Sequence, residues 1–237
     1  MMTISEQIKP IESFASEDDI VCIFCGNSYA SQFHCGIIYK YNDTPYVLHL
    51  AGHKDFLNES IDKLDQIKYV WVKSKIPLKF QRTISASFRN IVLRESSKSI
   101  PYGLYYKDSR FDKEGILVLG GNEIGLTCAT FVLSAFSSCN VNLIDVNNWQ
   151  VREEDNSWHD TIIALLTKYK VELKISDEHL QNMNKEKYCA RFRPEEVAAS
   201  SAFSPQPDTF ENISYSGVLL KNHITEQIKF YDLPTQV

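Results

Sequence analysis

The chain has 237 residues, 43% of them hydrophobic, and carries a formal net charge of -5 with a pI near 5.7. That length and apolar content are typical of one domain with a sizeable core, so a single domain is predicted over residues 1–237. The acidic balance and the lack of a dense Lys/Arg run exclude nucleic acid as an expected partner, and no apolar stretch is long enough to predict a transmembrane segment.

The first residues, Met1 to Gln7, lack the basic and apolar segments of a secretory signal. The protein is therefore expected to be cytoplasmic as synthesised. Its six cysteines are not spaced as a dense disulfide framework, which favours free thiols in a reducing compartment.

The segment from Val21 to Cys25 predicts a buried strand. Cys22 and Cys25, with His34 and Cys35 further on, raise a zinc site as an alternative, because Cys-x-x-Cys can supply two thiolate ligands. Residues three apart in a strand point to opposite faces, however, and a zinc knuckle needs a turn between its cysteines. Packing is the preferred interpretation, and neither a metal nor another cofactor is expected.

Two further strands are predicted, from Phe33 to Lys40 and from Tyr46 to Leu50. The residues between them, from Tyr41 to Pro45, form a turn-forming cluster of Asn, Asp, Thr and Pro. The two strands are therefore expected to form an antiparallel hairpin.

A turn centred on Asn42 and Asp43 would pair His34 with Ala51 and Gly36 with His49. The two histidines would then be diagonal neighbours on one face of the hairpin. A four-residue loop would instead set them directly opposite, and a one-residue slip would send them to opposite faces. Gly36 lies on the same face, where its missing side chain would leave room for the start of a helix.

The middle of the chain alternates short predicted strands with one long helix. The predicted pieces are a strand over Ile67 to Lys73, a helix over Leu78 to Arg94, a tyrosine-rich loop over Pro101 to Tyr106, a strand over Gly115 to Gly120 and a turn over Gly120 to Glu123.

Cys128 follows Thr127 at the point where a glycine-containing loop gives way to an apolar helical pattern over Ala129 to Phe136. Thr127 is the predicted N-cap, and a cysteine in the first turn meets unpaired N–H groups and the positive end of the helix dipole, which favour thiolate. The same N–H groups can hold an oxyanion. The alternative is a structural cysteine, since Cys128 shares a helical face with Phe131 and Val132.

Four other histidines compete for catalytic roles. His53 is predicted just past the second strand of the hairpin, in a loop or lining a cleft. His159 lies in a predicted helix and is interpreted as a solvated or cap-side residue, because it does not face its neighbour Asp160. His179 and His223 lie in polar surroundings and are interpreted as surface residues.

The C-terminal third is predicted to contain a polar helix over Asp177 to Lys187 and a short helix over Pro194 to Ser200, opened by proline. A loop from Ser200 to Pro207 and one or two edge strands within Tyr215 to Tyr231 follow. The expected class is α+β, with a core over about residues 19–203 and a strand extension over residues 204–237.

The order of these pieces resembles the circularly permuted papain-fold proteins, which include YiiX-like permuted NlpC hydrolases and the lecithin:retinol acyltransferase group. The matching pieces are Asp19-Ile20-Val21, His34-Cys35-Gly36-Ile37, Val47-Leu48-His49-Leu50, Cys128 at its helix start, and Arg193 to Ser200. The resemblance implies a permuted papain-like (NlpC-type) fold, in which an antiparallel sheet or small barrel packs against a central helix that bears the cysteine. It also implies that Tyr102 and Tyr105 lie near the cleft, the alternative being that they pack under the domain.

Two positions depart from the family pattern. Ala129-Thr130 stands where permuted NlpC proteins have Ser-Glu and the acyltransferase group has Glu-His. His49 resembles the acyltransferase group, because YiiX-like chains often carry glutamate there.

The expected function is thiol hydrolysis of an amide bond, in a peptide or a cell-wall-type isopeptide, through a thioester acyl-enzyme. Cys128 would be the nucleophile, His34 the general base, and His49 the residue that orients His34. Tyr102, Tyr105, His53 and Thr127 are the expected substrate-binding residues. The alternatives are a lipid-type acyltransferase or acyl hydrolase and a catalytically silent binding module, the latter motivated by the Ala129-Thr130 departure.

The expected partner is a peptide, peptidoglycan fragment or acyl substrate. Peptidoglycan lies outside the cytoplasm, so this expectation requires removal of a signal, leaderless export as an effector, or a cytosolic substrate. An exported effector would also meet a protein partner.

Overall fold

The computed structural model describes residues 4–28, 32–95, 100–204 and 206–232. Its architecture is α+β, built on an antiparallel six-stranded sheet with helices packed against it. The strands are β1 (Ile8–Pro10), β2 (Val21–Asn27), β3 (Phe33–Tyr41), β4 (Thr44–Gly52), β5 (Asp55–Ser60), β6 (Tyr69–Val72) and the separate pair β7 (Arg110–Phe111) and β8 (Leu117–Val118). The helices are α1 (Leu78–Glu95), α2 (Cys128–Ser137), α3 (Asn156–Lys168), α4 (Asp177–Lys185), α5 (Pro194–Ser200) and α6 (Phe210–Asp232).

The sheet has the strand order β1-β6-β2-β3-β4-β5, and each neighbouring pair is antiparallel. The predicted hairpin is confirmed: β3 and β4 are joined by Asn42 and Asp43, and Tyr41 pairs with Thr44. Both turn residues have positive φ, 50° and 61°. Such a turn matches the twist of the two strands and favours Asn and Asp, so the local sequence fixes the register of this hairpin.

The ladder between β3 and β4 ends early. It runs from Tyr41 paired with Thr44 to Ile37 paired with Leu48, whereas β3 stays paired with β2 as far as Phe33. These pairs follow the register expected for a turn centred on Asn42 and Asp43. Beyond the ladder, Gly36 still lies opposite His49, since a Cβ at Gly36 would be 2.6 Å from His49 Cβ.

Helices cover one face of the sheet. Helix α2 contacts β3 and β4, and α5 contacts β2 and β3. The main core lies between these layers and includes Ile23, Ile37 and Leu48 from the strands. The opposite face carries a smaller cluster in which Phe14 packs edge-on against Trp71, with ring centroids 5.3 Å apart.

Strand β2 is buried as predicted. Cys25 lies in the main core and Cys22 in the cluster on the opposite face, which is the alternation that strand geometry imposes. The predicted helices over Leu78 to Arg94 and Pro194 to Ser200 are confirmed as α1 and α5. The strand predicted over Gly115 to Gly120 shortens to the two residues of β8.

The predicted C-terminal strand extension is wrong, because Phe210–Asp232 forms the 23-residue helix α6. Its fully buried residues Ile213, Leu220 and Ile224 are spaced by seven and four positions, the interval of one helical face. This face packs against α5, so residues 206–232 belong to the domain and are not a strand extension. Among the described residues, no helix is long and apolar enough to cross a membrane.

Candidate functional site

Cys128 is the first residue of α2, as predicted from the sequence. Thr127 is the N-cap: its side chain accepts from the Thr130 N–H at 3.2 Å, and the Thr130 hydroxyl accepts from the Thr127 N–H at 2.8 Å. This capping box does not use the N–H groups of Cys128 and Ala129, which remain at the positive end of the helix. Thr130 belongs to the Ala129-Thr130 pair that departs from the family pattern. It has a structural role as the second residue of this capping box.

The two hairpin histidines are in contact. His34 Nε2 and His49 Nδ1 lie 2.9 Å apart, and the ring centroids are 5.0 Å apart at 72°. Phe24 packs against both rings, with centroids 6.0 Å and 5.7 Å away. A Cβ at Gly36 would lie 2.6 Å from His49 Cβ and 2.6 Å from the Phe24 ring. The space at Gly36 is therefore occupied by His49 and Phe24, and not by the start of a helix as predicted.

Cys35 and His34, consecutive residues of β3, are the groups that act most strongly on the Cys128 sulfur. Cys128 and His34 also line one cavity. Cys35 belongs to the core beneath α2, whereas Phe24, the ring neighbour of His34, belongs to the cluster on the other face. Consecutive residues of one strand reach the same sulfur where the β3–β4 ladder has ended.

These contacts hold the pKa of Cys128 well below its ordinary value. The hydrogen bond from the Cys35 thiol is the largest cause, burial opposes it, and the charge and hydrogen bond of His34 and the Cys35 N–H add to the lowering. Burial raises the pKa of Cys35, and its hydrogen bond to Cys128 raises it further. The two shifts have opposite directions, which makes Cys128 the more acidic thiol of this pair.

Cys128 differs in this respect from the other cysteines. All six are free thiols, and burial raises the pKa of each of the other five. A lowered thiol pKa is what distinguishes a reactive cysteine from a structural one.

His49 is neutral. Burial lowers the pKa of its ring to about 3, and the charge of His34 lowers it as well. When His34 carries a positive charge, both of its ring nitrogens hold protons, so its Nε2 donates and Nδ1 of neutral His49 accepts. His34 Nδ1 is then the nitrogen that remains for the sulfur of Cys128.

A cavity of about 110 Å³ opens beside the sulfur. Cys128, His34, Thr127 and Tyr102 all lie in its wall, so two of the expected substrate-binding residues border the thiol. Burial, followed by the charge of Cys128, raises the pKa of Tyr102, so its hydroxyl stays protonated at neutral pH. Aromatic walls are contributed by Phe33, Trp158 and Phe192.

The other two expected substrate-binding residues lie elsewhere. Tyr105 lines a different cavity, where Glu186 accepts from its N–H at 3.3 Å. His53 is 6% exposed, and its Nδ1 accepts from the Tyr102 N–H at 3.2 Å. His53 therefore supports the loop that carries Tyr102 and does not border the cavity wall.

Two of the remaining histidines were misassigned. His159, interpreted as solvated, is 1% exposed, and its Nδ1 accepts from the Tyr188 N–H at 3.3 Å. His179, interpreted as a surface residue, is half-buried and donates from Nε2 to the Tyr102 carbonyl at 2.7 Å. Long-range packing of α3 and α4 buries both rings, and local polarity does not reveal such packing. His223 is exposed, as predicted.

Three residues of the site were missed from the sequence: Cys35, Trp158 and Arg191. Cys35 was interpreted only as a packing residue, although its alternation with His34 places it on the α2 side of β3. Trp158 and Arg191 come from α3 and from the segment before α5, and no local pattern relates them to Cys128. Among the described residues, no group of three or more His, Cys, Asp or Glu side chains is arranged to hold a metal ion.

Comparison of the chain with protein-family models, with curated proteins and with solved structures gives no significant match.

Proposed function

We propose that the protein is a thiol hydrolase that cleaves an amide bond through a thioester on Cys128. The observation that carries the proposal is the contact chain from the Cys128 sulfur through His34 to His49 Nδ1, with 2.9 Å between the two histidines. A nucleophile, a base and a group that orients the base are the components of thiol catalysis.

The reaction proceeds in two steps. The Cys128 thiolate attacks the substrate carbonyl, the S–C bond forms, and the C–N bond breaks as His34 gives its proton to the leaving amine. His34 then takes a proton from water, whose oxygen attacks the thioester and releases the thiolate. The N–H groups of Cys128 and Ala129 are the proposed oxyanion donors, because the capping box leaves them unused.

We also propose that the fold is a permuted papain-like fold. The histidine-bearing hairpin precedes the cysteine helix in the chain, and α2 packs against β3 and β4 with its N-terminus at the histidines. The proposal is supported by this order and packing, by the late proline-opened helix α5, and by the sequence pieces that resemble the family.

We propose that the substrate carries a small polar acyl group. The cavity beside Cys128 is only about 110 Å³, and Arg191 stands in its wall. Acyl transfer or hydrolysis of an ester is the second candidate, because a neutral histidine in the third position resembles the acyltransferase group. The narrow cavity favours the amide over a long acyl chain.

Selective alkylation tests the site. Treatment with iodoacetamide near pH 6, followed by peptide mapping, should modify Cys128 first, because the other five thiols are protonated there. The His34→Ala variant should lose this selectivity, and Cys139→Ala, which removes a thiol on the far end of α2, should retain it. Uniformly slow modification of all six thiols would instead support the catalytically silent binding module.

Trapping of the intermediate distinguishes the two reactions. The protein is mixed with aryl amides and aryl esters that carry matched acyl groups, and the intact mass is followed with time. An acyl adduct that is absent from Cys128→Ser and appears with the amides supports the hydrolase. An adduct formed only with long-chain esters would support the acyl-transfer candidate.

A further inference from the structure

Arg191 is the feature of the cavity that the mechanism does not use. It lies in the wall of the cavity together with Cys128 and His34. Among the described residues that line this cavity, none is Asp or Glu, and Arg191 is the one Lys or Arg. The acidic neighbours of Arg191 lie in the adjoining cavity, which Arg191 also lines, so the carboxylates do not face the nucleophile within this wall.

The guanidinium of Arg191 is held in place. Its central carbon lies 3.9 Å from the centroid of the Trp158 ring, a stacking distance, and its Nη1 donates to Asp155 Oδ1 at 3.2 Å. The Trp158 ring lines the same cavity. A planar donor fixed against an aromatic ring is preorganised to bind a planar anion such as a carboxylate.

Asp155 neutralises Arg191 only in part. The same carboxylate accepts from Arg152 Nε at 3.0 Å and from Arg193 Nη2 at 2.9 Å, both shorter than the contact with Arg191. The Arg191 Nε–H is buried and has no hydrogen-bond partner among the described residues. Of the three guanidiniums around Asp155, Arg191 is the one that borders the Cys128 cavity.

Glu195 is the other carboxyl group that acts on Arg191. It lines the adjoining cavity, beside Lys221, and is not in the wall of the Cys128 cavity. Burial raises the pKa of Glu195. Arg191 itself stays charged at neutral pH, because a guanidinium loses its proton only at far higher pH.

We infer that the cavity beside Cys128 is an anion subsite, in which Arg191 binds a free carboxylate on the acyl group of the substrate. This inference rests on the proposed function and narrows its substrate class. A γ-glutamyl-type isopeptide carries such a carboxylate close to the scissile amide, whereas a fatty acyl ester carries none. Arg191 would thus select acidic acyl groups by a charge-assisted pair.

Charged and neutral alkylating agents of similar size test the subsite without a known substrate. The rates of Cys128 alkylation by iodoacetate and by iodoacetamide are measured on each variant. The rate with iodoacetate is then divided by the rate with iodoacetamide, and this ratio is compared between variants. The ratio should fall on the order of tenfold in Arg191→Gln, since one nearby charge is lost, and should be largely retained in Arg191→Lys. Arg193→Gln is the matched control, because Arg193 shares Asp155 but borders only the adjoining cavity.

A protection experiment on the protein without substitutions tests the subsite even if Arg191→Gln does not fold. N-acetylglycine, but not its neutral analogue N-acetylglycinamide, should protect Cys128 from iodoacetamide. Equal protection by both compounds, protection by neither, or a ratio unchanged in Arg191→Gln would overturn the anion subsite and leave the thiol hydrolase standing. Failure of iodoacetamide to select Cys128 would overturn both.

Discussion

His34 Nε2 lies 2.9 Å from His49 Nδ1, so the second histidine of the hairpin holds the ring of the first. His49 is 8% exposed and neutral, and it lies one residue beyond the last pair of the β3–β4 ladder. This contact occupies Nε2 of His34 and leaves Nδ1 as the nitrogen that can serve Cys128.

His49 acts as a positioning residue. Replacing it with leucine removes the acceptor for His34, and we expect the rate of Cys128 alkylation near neutral pH to fall roughly tenfold or more. His49→Gln keeps a carbonyl acceptor and should recover part of that rate. The pH profile of alkylation is the deciding measurement, because a purely structural role would lower the rate without moving the midpoint.

Cys35 tunes the nucleophile. The Cys35→Ala variant loses the thiol donor, so the pKa of Cys128 should rise and the alkylation profile should shift to higher pH. Cys35→Ser retains a donor and should shift less. The matched control is Cys25→Ala, in the neighbouring strand, since Cys25 pairs with Cys35 across the sheet but makes no hydrogen bond to Cys128 in the described structure. Identical profiles for Cys35→Ala and the unmodified chain would contradict this role.

Acid should destabilise the fold through His49. Its pKa is about 3 in the folded protein and near 6.5 when the chain is unfolded, so between these values the unfolded chain binds the extra proton. The stabilising contribution is complete above about pH 6.5 and is lost as the pH falls toward 3. Between pH 7 and pH 4 the free energy of unfolding should drop by about 3 kcal/mol more in the unmodified chain than in His49→Gln. The free energies are measured by urea unfolding at the two pH values. An equal drop in the unsubstituted protein and in His49→Gln would contradict a buried neutral His49.

Gly36 should not tolerate a side chain. Its Cβ would lie 2.6 Å from both His49 and Phe24, so Gly36→Ala should cost about 1 to 3 kcal/mol of unfolding free energy. It should also slow alkylation of Cys128, because the histidine pair must shift. Gly52→Ala in β4 is the control, since the nearest atom to its Cβ would be 4.0 Å away. Similar losses in both variants would show that strand glycines, and not the histidine packing, determine the effect.

Local chemistry explains which parts of the fold were predictable. Asn42 and Asp43 specify the turn, and the turn fixes the hairpin register. Thr127 and Cys128 were predicted as the cap and first residue of α2 because capping is also local. The expectation that the hairpin and the start of the cysteine helix meet in space came from the order of the chain and the family resemblance. Periodicity alone does not predict such a contact.

Long-range contacts explain what was missed. The sequence predicted room for the start of a helix at Gly36, but His49 and the Phe24 ring occupy that space, and such side-chain packing is not local. Arg191 lines the same cavity as Cys128 although 63 positions separate them in the chain, and no spacing pattern applies at such a separation. Helix α6 was mistaken for edge strands because the apolar residues Tyr215 and Val218 are exposed and interrupt the helical periodicity.

The pKa of Cys128 tests the central claim most directly. It is obtained from the ultraviolet absorbance of the thiolate as a function of pH, taken as the difference between the unmodified chain and Cys128→Ser. The thiolate–histidine arrangement predicts a midpoint well below the value of about 8.5 for a free cysteine, and a rise of that midpoint in His34→Ala. A midpoint at or above about 8.5, unchanged in His34→Ala, would contradict activation of Cys128 by His34.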